Sequence, residues 1–154
     1  MSPVRGIRGA TTVASNTASA ITEATAELLR ALRDMNELRP DDIGYLWFTV
    51  TDDLDAAFPA DAARVMLGWT EVPLICGREI PVPGAIGLCV RVLIAWNTDK
   101  TQAQVRHAFM HGARALRPAW AYPRRTETPD PSYRGPRRRR DEPSTRRPGT
   151  REDE

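Results

Sequence analysis

The stretch that organises this chain runs Cys76-Gly-Arg-Glu-Ile-Pro-Val-Pro-Gly-Ala-Ile-Gly-Leu-Cys-Val-Arg91 and continues as Val-Leu-Ile-Ala-Trp96. Its second half, residues 88–96, is a nearly continuous apolar and β-branched run, which is the pattern of a strand buried on both faces. Arg91 interrupts this run, and an arginine keeps its charge at any physiological pH. The stretch therefore predicts a central strand that carries one buried cation.

A buried arginine needs an anion and several hydrogen-bond acceptors, because a desolvated and unpaired charge is strongly destabilising. Glu79 lies in a second apolar stretch, residues 73–82, and is the candidate partner. Two interpretations carry equal weight at this point. The pair either closes the core as a structural ion pair, or forms an anion site in which Arg91 keeps donors free for a ligand.

The length and charge of the chain predict one folded domain and a tail. With 154 residues the chain can bury one sizeable core. Residues 1–120 carry 12 Lys+Arg against 13 Asp+Glu, so this body is close to neutral and is not expected to bind nucleic acid. Residues 121–154 are rich in Pro and Arg and poor in apolar side chains, which predicts a disordered tail.

Several classes of protein and site are not expected. No apolar run approaches the roughly 18 to 20 residues of a membrane span, and the N-terminus lacks the apolar core of a secretory signal, so a cytoplasmic protein is predicted. Cys76 and Cys89 form no disulfide framework. His107 and His111 lack a third ligand, and no phosphate loop or nucleophile elbow is present, so neither a metal nor a cofactor is expected.

Hydrophobic periodicity predicts strands alternating with two helices. A long helix begins at a cap on Asn16 or Thr17 and ends near Leu38. The acidic turn 51–55 is expected to be a solvated loop, and prolines keep the third strand from being central. Residues 102–116 fit either a helix or a strand. The remaining elements are strands at 4–13, 43–50, 72–82 and 88–96, and a short helix at 59–67 that ends at Gly68.

Four arginines stand in or near apolar surroundings: Arg8, Arg64, Arg91 and Arg117. Taken alone, Arg64 is better interpreted as a surface charge. Fixed guanidiniums beside one carboxylate, without an acid–base pair, suit a small dianionic ligand. Chemistry on such a ligand would need positioning and charge stabilisation rather than proton transfer.

Seven short motifs, spread over residues 4–118, together resemble the small trimeric AroH-type chorismate mutases, which are monofunctional. They are Val4-Arg-Gly-Ile-Arg-Gly-Ala-Thr-Thr-Val13, Phe58-Pro-Ala, Gly68-Trp-x-x-Val-Pro, Cys76-x-x-Glu79, Cys89-x-Arg91-Val, Arg106-His107 and Leu116-Arg117-Pro118. The resemblance implies an α+β fold, a mixed β-sheet with one long and one short helix packed on it, which trimerises into a pseudo-α/β-barrel. It also implies a strand through roughly residues 107–116.

The activity that this resemblance implies is an isomerase reaction, the Claisen rearrangement of chorismate to prephenate in the biosynthesis of phenylalanine and tyrosine. The substrate would be chorismate, no cofactor would be needed, and each active site would be shared between neighbouring subunits of a homotrimer. Arg91 matches the cation beside the ether oxygen of the breaking bond. Arg8 matches the arginine that binds a substrate carboxylate, and Glu79 matches the acceptor for the ring hydroxyl, with Cys76 beside it.

Other matched positions would line or close the pocket. Phe58 and Arg64 match lining residues, and Leu116 with Arg117 match the C-terminal segment that closes over the site. Two positions depart from the family pattern: Phe109 stands where a tyrosine usually binds a substrate carboxylate, and Asp61 stands where a lysine is common. Both departures are expected to weaken substrate binding more than transition-state stabilisation.

Three other functions remain possible from the sequence. A Rid-type imine deaminase also binds small carboxylates between the subunits of a trimer. A non-catalytic trimer could hold an aromatic-pathway metabolite, given Phe109 and Asp61. Nucleic-acid binding through the tail ranks last, because acidic residues surround the cationic run Arg137 to Arg140.

Overall fold

The chain folds into one mixed β-sheet with a long helix packed against one of its faces. The structure is a computed structural model and describes residues 1–123, so the predicted tail lies, apart from residues 121–123, outside the described residues. Between β1 and β2 lies the helix α1, Ala18–Asn36. The strands are β1 Val4–Thr12, β2 Ile43–Val50, β3 Leu74–Arg78, β4 Cys89–Asn97 and β5 Ala108–Met110.

The five strands lie in the order β3-β2-β4-β1-β5. β4 runs antiparallel to both β1 and β2, whereas β3 is parallel to β2 and β5 is parallel to β1. The predicted α+β class with a mixed sheet is confirmed. The apolar run around Arg91 forms a strand, as its composition predicted, and this strand lies in the middle of the sheet.

The helix α1 begins and ends close to where its sequence predicts. The side chain of Thr17 accepts a hydrogen bond of 3.2 Å from the Ala20 amide, which caps the N-terminus. Glu37 ends the helix in the left-handed region, with φ 58°. The fully buried face includes Ile21, Leu28 and Leu32, at the spacing that predicted the helix. None of the helices in the described part is both long and apolar enough to cross a membrane.

The sheet is covered by α1 on one face only. Val90, Val92 and Ile94 of β4 point to the helix and are buried, while Arg91 and Leu93 on the other face are half-exposed. The expectation that β4 is buried on both faces therefore holds in the single chain at Cys89 and Ala95 but not at Arg91 and Leu93. We call the uncovered side the open face; its exposed apolar side chains are Tyr45, Trp47 and Ile75.

The elements around β3 are shorter than predicted. β3 spans Leu74–Arg78 rather than residues 72–82, because prolines at 73 and 81 cannot donate to a ladder, and it lies at the sheet edge as those prolines indicated. The short helix expected at 59–67 is a π-helical segment, Ala62–Met66. Gly68 follows with φ +70°, which confirms it as the stop.

The region 102–116 is neither a helix nor a long strand. A 3-10 turn, Gln102–Gln104, precedes the three-residue strand β5, and a second 3-10 turn, His111–Ala115, follows it. The strand ends because His111 has φ 53°, and the chain then turns against β1, where the Gly112 amide donates to Thr12 Oγ1 over 3.0 Å. The implied strand over residues 107–116 is thus present only over Ala108–Met110.

Gly9 lets α1 approach the sheet. A Cβ atom at this position would lie 2.8 Å from Leu32 Cδ1 and 3.0 Å from Val92 Cγ1, both in the buried core. Gly6, on the open face of the same strand, has its nearest such neighbour at 3.8 Å. Close packing of the core therefore requires glycine at position 9, whereas position 6 has room for a Cβ atom.

The substitution Gly9→Ala is expected to lower the free energy of unfolding by about 1–3 kcal/mol, because it overpacks the helix–sheet contact. Gly6→Ala is the matched control and should change it by less than about 0.5 kcal/mol. Urea unfolding of both variants at one protein concentration measures the difference. Equal midpoints for the two variants would show that the helix can shift without cost.

Candidate active site

Arg91 lies on the open face of β4, between Ala10 of β1 and Thr49 of β2. Its Nη1 atom is 3.7 Å from Glu79 Oε1, and each of the two side chains is 25% exposed. This distance is too long for a direct hydrogen bond. The Nε atom of Arg91 is buried and has no hydrogen-bond partner within residues 1–123. The pair is therefore not a closed structural bridge, and the geometry favours the anion-site interpretation.

Glu79 is oriented by a group other than Arg91. Thr49 Oγ1 donates a hydrogen bond of 2.7 Å to Glu79 Oε2. The Glu79 amide donates to the Val50 carbonyl over 2.8 Å, which extends the β2–β3 ladder by one step. The carboxylate thus keeps its position without drawing on the donors of Arg91. Sequence reasoning missed Thr49, since only the register between β2 and β4 brings it beside Arg91.

Arg8 shares the open face with Arg91. It precedes Ala10 by two residues on β1, so both side chains point the same way. Burial lowers the pKa of Arg8, as does the nearby charge of Arg91, while Glu79 raises it. These groups line a cleft of about 320 Å³, the arginine cleft, made by Arg8, Trp47, Thr49, Glu79, Arg91, Val92 and Leu93. A second cleft of about 420 Å³ meets it at Glu79 and Arg91.

The C-terminal part of the domain approaches the site from the β1 side. Phe109 pairs with Ala10 on β5, is 2% exposed, and has the Arg8 guanidinium carbon 6.0 Å from its ring centre. Leu116 packs on the small apolar cluster that Phe109 forms with Ala10, Cys89 and Ala113. The charge of Arg117 also reaches Arg8 and contributes to lowering its pKa, after burial and Arg91. The structure therefore brings Phe109, Leu116 and Arg117 to the same site as Arg8.

Three other predicted site residues, Phe58, Arg64 and Cys76, lie away from the arginine cleft. Cys76 pairs with Phe48 and points to the helix side of the sheet, because it is three residues from Glu79 in extended chain. It lines a cleft of about 780 Å³ together with Phe58 and Asp61, which we call the edge cleft. Cys76 and Glu79 are thus neighbours in sequence but not in the single folded chain.

The electrostatics of the edge cleft are mixed. Burial raises the pKa of the Cys76 thiol, and the Ala60 backbone and the Arg64 charge act in the opposite direction. Arg64 Nη2 lies 2.6 Å from Asp61 Oδ1, in a pair that is 52% and 38% exposed. The residue that departs from the family pattern at position 61 therefore neutralises one of the predicted binding arginines.

The acidic turn 51–55, which follows β2, holds the start of β4 in place. Both carboxylate oxygens of Asp53 accept from the Leu88 amide, at 2.9 and 3.0 Å, and Leu88 has φ 48°. Thr51 Oγ1 accepts from the Cys89 amide over 2.9 Å. The turn is solvent-exposed, as predicted, and in addition it fixes the start of β4 two residues before Arg91. Sequence reasoning missed Asp53, whose partner is 35 residues away.

The arrangement can hold an anion and stabilise negative charge. The arginine cleft has two guanidiniums and a single carboxylate among its lining residues. No three His, Cys, Asp or Glu side chains converge as metal ligands within residues 1–123. His107 and His111 lie at opposite ends of β5 and contact Arg8 and Glu27 respectively. Such a site can orient a small dianion and place a cation where charge develops.

Comparison with known proteins identifies the chain's relatives. Residues 4–120 match the family model described as chorismate mutase type I. Chorismate mutase AroH of Thermus thermophilus is 48% identical over 116 residues, covering 75% of this chain and 94% of the relative. The Bacillus subtilis protein of the same name is 39% identical over 124 residues, covering 80% and 98%. A solved structure of chorismate mutase from Clostridium thermocellum has a TM-score of 0.70 and 50% identity, covering 72% of this chain and 98% of the other.

Proposed function

The chain belongs to the family of type I chorismate mutases and is a chorismate mutase, an isomerase, and we propose that it converts chorismate to prephenate at a site centred on Arg91. The observation that carries the site is Arg91, which lines both clefts, has an Nε atom unpaired within residues 1–123, and lies beside a carboxylate that another group holds in place. The family membership favours this activity over imine deamination. A role in phenylalanine and tyrosine biosynthesis fits the same membership.

The chemistry asks little of the protein beyond shape and charge. A Claisen rearrangement is intramolecular and moves no proton, so the enzyme has to hold the chair-like conformer and stabilise negative charge on the ether oxygen. Together these effects supply the ~8 kcal/mol that a typical ~10⁶-fold enhancement requires. We assign the second task to Arg91, whose guanidinium lines both clefts and makes no direct hydrogen bond to Glu79.

The remaining polar groups of the cleft bind the substrate. Arg8 would hold a substrate carboxylate, and Glu79, turned by Thr49, would accept from the ring hydroxyl. Arg117 approaches from the same side as Arg8 and suits the second carboxylate. Phe109 has no donor to contribute, so carboxylate binding falls more heavily on the arginines.

We further propose that each active site is completed by a neighbouring subunit of a homotrimer. Arg8, Glu79 and Arg91 open on one face of the sheet, whereas Phe58, Arg64 and Cys76 belong to the other side of its β3 edge, so one chain cannot present both groups to one ligand. Tyr45, Trp47 and Ile75 on the open face are 47%, 50% and 60% exposed, which suits contact with another subunit. The proposed catalytic domain is residues 1–120, which the family match over residues 4–120 supports.

Replacing Arg91 with Met is expected to lower kcat by at least ~10³-fold, because the cation at the ether oxygen is lost. The free energy of unfolding should fall by no more than about 1 kcal/mol, since the variant also removes a buried unpaired donor. Loss of chorismate's ultraviolet absorbance gives kcat, and urea unfolding gives stability.

The matched control for this test is Arg5→Met. Arg5 lies on β1 and its Nε is satisfied by the Lys100 carbonyl at 2.8 Å, so the control should keep kcat and lose stability. Near-normal kcat in Arg91→Met would refute the assignment. Loss of all activity in the unaltered protein, with binding of a bicyclic transition-state mimic retained, would point instead to a non-catalytic binder.

A shared site predicts complementation between inactive variants. Arg91→Met and the double variant Phe58→Ala/Arg64→Ala damage different subunits' contributions to one site, so random mixed trimers should regain about a quarter of the sites. The two proteins are unfolded together, refolded and assayed for chorismate turnover. Refolding each variant alone is the control, and no gain in the mixture would mean that each site lies within one chain.

Asp61→Asn is expected to lower KM about two- to fivefold and to leave kcat unchanged, because it frees Arg64 from a solvent-exposed ion pair. Steady-state kinetics at low and high salt measure both constants, and the gain should shrink as salt screens the charge. Asp41→Asn is the control, since its ion pair with Arg39 is looser, at 3.9 Å, and more exposed. Equal effects of the two substitutions on KM would show that only net charge matters.

A further inference from the structure

Trp120 makes two close contacts at the corner where the C-terminal segment meets the site. Its ring centre lies 4.0 Å from that of His107, with 36° between the ring planes. The guanidinium carbon of Arg117 lies 3.8 Å from the indole ring centre. One aromatic side chain therefore links His107, the residue before β5, to Arg117, whose charge acts on Arg8.

The backbone around Trp120 is tied down on both sides. Its amide donates to the Arg117 carbonyl over 2.9 Å, which closes the 3-10 turn Pro118–Trp120. The next residue, Ala121, bridges to Phe109, and the Tyr122 amide donates to the Phe109 carbonyl over 2.9 Å. The indole therefore sits on a fixed segment, which is what a platform for a mobile side chain requires.

Arg117 has little else to hold it. The residue is exposed, and no carboxylate within residues 1–123 pairs with it. An unrestrained arginine side chain populates many rotamers and loses that freedom on binding a ligand. Stacking on an indole restricts the guanidinium while leaving its in-plane N–H donors free for a carboxylate.

The same stack also reaches Arg8. His107 Nδ1 accepts a hydrogen bond of 2.9 Å from the Arg8 amide, so the ring that lies against Trp120 fixes β1 at the residue proposed to bind a carboxylate. Burial lowers the pKa of His107, and the charges of Arg117 and Arg8 act in the same direction, which favours the neutral ring that this acceptor role needs. Arg106 and Tyr122 are the other titratable groups that line the adjoining cleft.

We infer that Trp120 is a positioning residue, which seats the guanidinium of Arg117 for the substrate carboxylate and, through His107, steadies the backbone of Arg8. This inference rests on the proposed function, in which both arginines bind chorismate. The competing explanation is that Trp120 only fills space, since its ring also lies 5.7 Å from that of Phe109. The two explanations differ in whether the effect of Trp120 depends on Arg117.

A double-mutant cycle separates them. Trp120→Leu keeps apolar volume but removes the platform, and it should raise KM for chorismate about fivefold with kcat within about twofold. Trp120→Phe keeps an aromatic face and should recover most of that loss. In an Arg117→Ala background, which itself raises KM, the further rise caused by Trp120→Leu should be clearly smaller and limited to the part that acts through His107 on Arg8, because Arg117 is already absent.

The possible outcomes of this cycle lead to different conclusions about Trp120. An equal rise in KM from Trp120→Leu with and without Arg117 would overturn the inference and leave Trp120 as packing. Normal KM in Arg117→Ala alone would overturn the inference together with the proposed role of Arg117, while turnover by the unaltered chain would still stand. The thermal midpoint of each variant is measured as a control for folding. The variant His107→Asn keeps an acceptor near Nδ1 but loses the ring, and it should reproduce part of the rise in KM caused by Trp120→Leu.

Discussion

A guanidinium held on the middle strand of a sheet, with one buried N–H unpaired, costs free energy that the remaining packing has to supply. Packing on the opposite face of the sheet offsets this cost, because α1 contacts β4 and β1 there through fully buried leucines and isoleucines. Gly9 allows that close approach. The site and the core are thus two sides of one sheet, and alternation along β4 places Arg91 on the open face while Val90, Val92 and Ile94 pack against the helix.

Thr49 holds Glu79 so that its carboxylate does not bond Arg91 directly. The free-energy cost of the unpaired guanidinium is therefore not offset by an ion pair within the protein. If the carboxylate bonded Arg91 directly, the pair would be satisfied, and a substrate would have to break it before binding. Thr49 instead takes one carboxylate oxygen, and the other stays 3.7 Å from the guanidinium. Preorganised donors of this kind stabilise developing charge without reorganisation, which suits a rearrangement that needs no proton transfer.

The division of binding residues between two faces gives assembly a catalytic role in the proposed mechanism. A strand edge with Phe58, Arg64 and Cys76 on one side and Glu79 on the other can serve two different pockets. In the same way, the C-terminal segment adds Arg117 and its aromatic platform to a pocket whose cations come from β1 and β4. In this proposal, short elements at the margins of the sheet add substrate-binding residues to the cations of the long strands β1 and β4.

The sequence by itself determined the elements whose signal is local. The 3.6-residue spacing in α1, its cap at Asn16 or Thr17, the apolar run of β4 and the prolines beside β3 depend on neighbours a few residues away. The structure agrees with each, and it selects Thr17 as the cap. The motifs around Arg8, Glu79 and Arg91 also identified the family. Only the tertiary structure decided how these groups meet: that Thr49 holds Glu79, that Asp53 holds the start of β4, and that β5 stops at Met110. These features depend on strand register and on contacts between residues tens of positions apart, and no local periodicity encodes them.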